Sequence, residues 1–153
     1  MARADPPVAQ ECVEGYLFAG RPPQLLVLRR PPGRGSIWVP VSGKVEPADP
    51  NLAAAVHREV LEETGFSEFL RVFSLDWHVR FDGPDGRAWR LHAYAFELTA
   101  PAPPRLNAEH EAFEWVGFEE ALRRLHYADN RQAVTRLAAQ LTPAPDGPSA
   151  PTV

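Results

Sequence analysis

The stretch Arg58-Glu59-Val60-Leu61-Glu62-Glu63-Thr64-Gly65-Phe66 limits what this chain can fold into more than any other segment. With Asn51 or Asp49 as a cap, the sequence predicts a helix running to about Thr64, ended by Gly65. On that helix Glu59, Glu62 and Glu63 stand at i, i+3 and i+4 and share one face. Three like charges there repel one another, and they sit at the helix's negative end, where carboxylates are least welcome. Val56 and Val60 flank the same arc, so the cluster lies beside buried surface rather than in free solution.

Hard oxygen ligands so arranged suit Mg²⁺ or Mn²⁺, ions that take carboxylates together with waters and substrate phosphates. A solvated acidic face is the ordinary explanation of a bare Glu-x-x-Glu-Glu. The neighbours argue against it here. Arg58 is placed to pair with and orient a carboxylate, and Ser42-Gly43-Lys44-Val45-Glu46 reads as a tight loop whose backbone carbonyls complete a cation's coordination.

Composition narrows the class. The 153 residues make one domain with a real core, and a formal charge of −4 argues against a general nucleic-acid or anionic-membrane binder. Cys12 is the single cysteine, so no disulfide framework or cysteine-based zinc site is expected. Met1 to Pro7 lacks the apolar run of a signal peptide, and no stretch is apolar for long enough to span a bilayer. A cytoplasmic protein without nucleic-acid or membrane partners is the expectation.

Residues 1–9 and 142–153, rich in Pro, Ala, Asp and Ser, read as loose tails around a domain spanning 10–141. Within it, Val13 to Phe18 and Gln24 to Arg29 read as strands, followed by a Pro-Gly loop and one short apolar segment, Ile37 to Val41. After the helix come Phe69 to Phe81 and Arg87 to Leu98, a strand pair joined by Asp82-Gly83-Pro84-Asp85-Gly86. Phe113 to Val116 is a last strand, and Phe118 to Leu125 and Asp129 to about Leu141 are helices. The order β-β-β-α-β-β-β-α-α implies a mixed sheet with helices on its faces, an α/β class.

The span Gly43 to Phe66 resembles the Nudix box, and Arg58 to Phe66 matches its ending in full. The front half departs from the pattern: Asp49 stands where the family has Glu, and eight residues rather than seven separate it from Arg58. The resemblance implies an α/β/α sandwich around a central mixed sheet. It also implies metal-assisted hydrolysis of a diphosphate linked to a nucleoside, with water attacking phosphorus, and a homodimer is common in the family. Carried over, Glu59, Glu62 and Glu63 become Mg²⁺ (or Mn²⁺) ligands, Arg58 their orienting partner, and the main chain at Ser42 and Gly43 a further ligand. Glu59 is the first choice as base.

The flanks resemble the dihydroneopterin triphosphate pyrophosphatase branch, which also accepts nucleoside triphosphates. Trp38-x-x-Val41-Ser42-Gly43, Glu109-His110-x-x-Phe113-x-Trp115 and Asn130-Arg131-Gln132-Ala133 occur in order. Glu109-His110-x-x-Phe113-x-Trp115 alone also resembles diadenosine tetraphosphate hydrolases. In this reading Glu109 is a candidate fourth carboxylate and alternative base. Lys44, one of Arg29 and Arg30, and His110 are the candidates for substrate contact. A nucleotide-sugar hydrolase and a non-catalytic nucleotide sensor are the rival readings. A Walker-type phosphate loop is excluded, because Val45 follows Gly43-Lys44 where Ser or Thr is required.

Overall fold

The computed structural model describes residues 5–142, so residues 1–4 and 143–153, part of the first expected tail and nearly all of the second, lie outside the described residues. Seven strands form one sheet: β1 (Gln10–Ala19), β2 (Gln24–Arg29), β3 (Trp38–Val39), β4 (Val41–Lys44), β5 (Arg71–Asp82), β6 (Ala88–Glu97) and β7 (Ala112–Gly117). Three helices complete the fold: α1 (Leu52–Thr64), α2 (Phe118–Arg124) and α3 (Ala128–Leu141). β1 pairs in parallel with β6 while every other pairing is antiparallel, which makes the sheet mixed as expected.

One segment differs from the sequence reading. The stretch expected as a single strand and a following loop is two strands, with Pro40 between them. Proline lacks the N–H that a ladder needs, so pairing switches there from β2 to β1. Ser42 and Gly43 are therefore strand residues, not a tight loop, and their main chain is held in register against Glu14 and Val13. The chain ahead of β1 also differs from a loose tail where it is described, since Ala9 N–H bonds to Ala88 O and Arg80 bonds to Pro6 O.

Side-chain alternation along β1 splits the core into two. Val13 and Leu17 face α1 with Leu26, Leu28, Val56, Val60 and Phe96. Tyr16 and Phe18 face α2 and α3 with Val27, Ala95, Val134 and Leu137. Val56 and Val60 are fully buried, and each stabilises the docking of α1 by about 1.5–3 kcal/mol. Asn51 is the cap of α1, its Oδ1 accepting from Ala54 N–H at 2.8 Å. Gly65 ends the helix at φ 79°, a conformation that costs a side-chain-bearing residue energy. Among the described residues no helix is long and apolar enough to cross a membrane.

The edge of β1 is shared. β4 pairs it from Cys12 to Gly15, and β2 pairs it at Phe18 and Ala19. Between these the sheet forks. The turn leading into β7 crosses the mouth of the fork, held there by Glu111 N–H donating to Arg29 O at 2.8 Å.

Candidate active site

Three carboxylates converge at this fork. One oxygen each of Glu59, Glu63 and Glu109 lie within 4.8 Å of one another, two from α1 and one from the turn before β7. Glu109 therefore reaches the cluster. Its backbone is fixed by an Asx turn, Glu109 N–H to Asn107 Oδ1 at 3.0 Å. Glu62 does not join this trio. Its side chain is half exposed and lies 3.4 Å from Arg58 Nη1, the same nitrogen that reaches Glu59.

Burial makes the trio costly. Glu63 is 0 % exposed and neither of its oxygens has a hydrogen-bond partner among the described residues. Its carboxyl is pushed up to about 10, first by burial and then by the carboxylates of Glu59 and Glu109, with only the Ser42 main chain pulling the other way. Burial raises Glu59 as well, against the pull of Arg58. Two buried carboxyls sharing a pocket titrate as a pair, so one of them holds a proton at neutral pH.

Arg58 organises the approach to the cluster. It forks onto Asp49, Nε to Oδ1 at 3.0 Å and Nη2 to Oδ2 at 2.8 Å, and its Nη1 donates to Glu59 Oε1 at 2.8 Å. Asp49 also accepts from Glu46 N–H at 2.7 Å. The guanidinium and that amide hold its carboxyl below the usual range, and Asp49 in turn raises Arg58. The eight-residue spacing between Asp49 and Arg58 leaves this contact intact.

β4 supplies the floor. A Cβ on Gly43 would sit 2.1 Å from Glu59 Cδ, so only glycine lets that carboxylate lie against the strand. His110 is buried beside Glu63, Nδ1 to Oε1 at 3.7 Å, and burial followed by the charges of Arg30 and Arg34 lowers it to about 4. It is neutral at pH 7. Arg29 is engaged with Glu111 at 3.5 Å, whereas the charge of Arg30 is felt at the buried His110. Lys44 leaves β4 on the face opposite Gly43, its ammonium 5.1 Å from the Trp89 ring centre.

Sequence reasoning gave no site role to three residues here. Arg34, 4.0 Å from Glu109, sat in a stretch read only as a loop. Glu14 and Asn130 form a buried polar group on the α3 side of the fork: Tyr16 Oη donates to Glu14 Oε1 at 2.6 Å and Asn130 Nδ2 to Glu14 Oε2 at 2.9 Å. Burial pushes Glu14 up to about 7. The signal for Glu14 was present in the sequence, as a lone acid inside an apolar strand. Cys12 lies in an interior strand, and burial pushes its thiol up to about 11, which leaves it a poor nucleophile.

A mixed sheet between helices, with a buried carboxylate trio at the fork beside a capped helix, defines an α/β/α sandwich built around an acidic centre. The pattern of the family described as NUDIX domain matches residues 13–137, and the chain belongs to that family. The structure of the E. coli dihydroneopterin triphosphate pyrophosphohydrolase superposes with a TM-score of 0.75 at 19 % identity, covering 88 % of this chain and 99 % of that one. In sequence the chain is 36 % identical over 144 residues to an octanoyltransferase of Myxococcus xanthus, covering 90 % of this chain and 39 % of that protein. It is 26 % identical over 105 residues to an asymmetrical bis(5'-nucleosyl)-tetraphosphatase of Caenorhabditis elegans, covering 68 % of this chain and 75 % of that protein. The likeness to the E. coli structure shows the fold, and the chain spans well under half the length of the Myxococcus relative.

Proposed function

We propose that this domain is a divalent-metal-dependent pyrophosphohydrolase. It cleaves a nucleoside triphosphate-like substrate, dihydroneopterin triphosphate or a deoxynucleoside triphosphate, to a monophosphate and pyrophosphate. The observation that carries this reading is Glu63. Two buried oxygens without partners, next to Glu59 and Glu109, are what a cation would complete. The donor set is all oxygen, which fits Mg²⁺ or Mn²⁺.

Glu59, Glu63 and Glu109 would hold the ion, with the Ser42 and Gly43 main chain alongside and Glu62 reaching it from its exposed position. When bound, the cation neutralises charge on the phosphates and makes a water more acidic. Arg58 fixes the Glu59 rotamer through Nη1 and is itself locked by Asp49. Glu59 is thereby committed to the arginine and Glu63 is sealed from solvent, which leaves Glu109, on its partly exposed turn, as the base that takes the attacking water's proton. The charges of Arg30 and Arg34 are both felt at His110, Arg34 lies 4.0 Å from Glu109, and guanidinium groups so placed are suited to phosphate oxygens.

Product analysis with Mg²⁺ tests this. Pyrophosphate plus a monophosphate is the expected outcome. Two nucleotides from a dinucleoside polyphosphate would instead favour the activity in the Caenorhabditis relative's name. Metal binding without turnover of any nucleotide would leave a sensor. Octanoyl transfer is not carried across, because the chain spans 39 % of the Myxococcus protein.

A further inference from the structure

Glu109 is the exposed member of the trio. Its side chain is 45 % exposed, whereas Glu63 is sealed, and it lies within 4.8 Å of two other carboxyls. A carboxylate so placed is repelled by its neighbours, and a long flexible side chain on a turn gains freedom by swinging out to water. Main-chain anchoring does not prevent this. His110 N–H lies 3.4 Å from Asn107 O and Glu111 N–H donates to Arg29 O, but both contacts fix the backbone alone. Something else must hold the carboxylate against the trio.

Asn107 uses both ends of its amide on this one residue. Glu109 N–H can only donate, so the atom 3.0 Å from it is the acceptor Oδ1. That leaves Nδ2 directed at Glu109 Oε2, 3.3 Å away. Among the described residues this is the only hydrogen bond to the Glu109 carboxylate. Arg34 Nη1, 4.0 Å from Oε1, is outside hydrogen-bond reach, and with its side chain 54 % exposed its charge is screened by solvent. An Asx turn needs just the acceptor, a role that Asp fills as well as Asn. The donor end is therefore surplus to the turn, and its partner is the carboxylate.

We propose that Asn107 is a positioning residue for Glu109. Its Nδ2 holds the carboxylate at the trio before an ion or a substrate arrives, so the group is already in place when the attacking water must lose its proton. Asn107 acts through Glu109 alone. The inference rests on the hydrolase reading for what Glu109 does there, and it adds to that reading the residue that keeps Glu109 where it is needed.

Two substitutions separate the donor from the turn. Asn107→Asp keeps the acceptor and replaces the donor with a second carboxylate oxygen. It is expected to leave the Glu109 amide protected from hydrogen exchange while kcat falls about 10–100-fold and KM stays within about twofold. A wild-type kcat in Asn107→Asp, or a defect confined to KM, would overturn the proposal. Asn107→Ala removes both ends, and its effect is read with and without Glu109→Ala by calorimetric Mn²⁺ titration of the substrate-free protein, which requires no turnover. Alone it is expected to weaken Mn²⁺ about tenfold, and in the Glu109→Ala background to change the affinity by less than about twofold. Equal losses in both backgrounds, or no loss in either, would also overturn it. The expected Mn²⁺ pattern without hydrolysis of any nucleotide would count against the hydrolase reading alone. Hydrolysis with equal losses in both backgrounds would count against this inference alone.

Discussion

Gly43 on β4 and Glu59 on α1 are in such close apposition that a Cβ on the glycine would fall 2.1 Å from the carboxylate carbon and 2.2 Å from Oε1. The strand has no room to retreat, since Gly43 is paired with Val13 in the interior of the sheet. Gly43→Ala is therefore expected to push Glu59 off its contact with Arg58. The loss in kcat should be roughly 100-fold, as for a reacting group displaced by about 1 Å. Destabilisation of about 1–3 kcal/mol, typical of overpacking, should accompany it. Steady-state kinetics and thermal melting check both.

Arg58 tests whether orientation or mere charge is required. Its planar fork matches Asp49 with two bonds while a third reaches Glu59, a geometry a lysine ammonium cannot reproduce. Arg58→Lys is expected to weaken activating Mg²⁺ by about 10–100-fold, the range seen when the group orienting a metal ligand is lost. Activity at varied Mg²⁺ measures this. An unchanged activation curve would remove Arg58 from its orienting role.

Glu62 and Glu63 should separate in the metal-free protein. Both Glu62→Gln and Glu63→Gln are expected to reduce turnover by orders of magnitude, yet only Glu63 is buried with unpaired oxygens. A neutral amide there removes the cost of keeping a sealed carboxyl protonated at a pH where it would ordinarily be ionised, so the metal-free Glu63→Gln protein is expected to melt roughly 5 °C or more above the wild type. Glu62→Gln exchanges one exposed group for another and should melt within a degree or so of it.

The same carboxyl sets a pH dependence. Glu63 binds its proton more tightly in the folded state, at about 10, than at the ordinary value of 4.5. Its contribution is therefore full below about pH 4.5 and is lost as pH rises toward 10. His110 has the opposite sign: lowered to about 4 from 6.5, it favours the folded state at neutral pH and loses that contribution as pH falls. Above about pH 7.5 the histidine contribution is constant, and metal-free stability should fall by on the order of 1 kcal/mol per pH unit. Saturating Mg²⁺ should flatten that decline, because binding requires the deprotonated carboxyl. Chemical denaturation at several pH values, with and without Mg²⁺, measures the slope.

How far the sequence could be read depended on the range of the interactions. The helix and its end were legible because Gly65 and the carboxylate spacing act within a few residues, and the sheet class followed from element order. Strand β4 was not legible: it is four residues long and its pairing with β1 is decided by a partner about thirty positions away. The carboxylate trio was legible as types but not as geometry. Periodicity put Glu62 with its neighbours, whereas packing against β4 takes in Glu59 and Glu63 and brings in Glu109 from the far end of the chain. Glu14 and Asn130 lie 116 positions apart, and nothing local in either segment announces the other.

Substrate contacts give the last test, because sequence position and structure point to different cations. Lys44 adjoins Gly43 in the chain, but strand alternation sends its side chain to the opposite face, over Trp89. Arg34 lies 4.0 Å from Glu109, and Arg30 acts on His110 beside Glu63. An arginine that meets the phosphates equally in the ground and transition states changes KM and leaves kcat largely alone. Arg30→Ala and Arg34→Ala are therefore expected to raise KM for a triphosphate by roughly tenfold each, the effect of a lost charge-assisted hydrogen bond. The rise should diminish with added salt where the contact is solvent-exposed. Lys44→Ala should leave KM within about twofold of the wild type, the scale of an exposed charge far from the ligand. Parallel kinetics of the three variants decide the matter: a KM defect confined to Lys44→Ala would place the phosphates on the other face of β4.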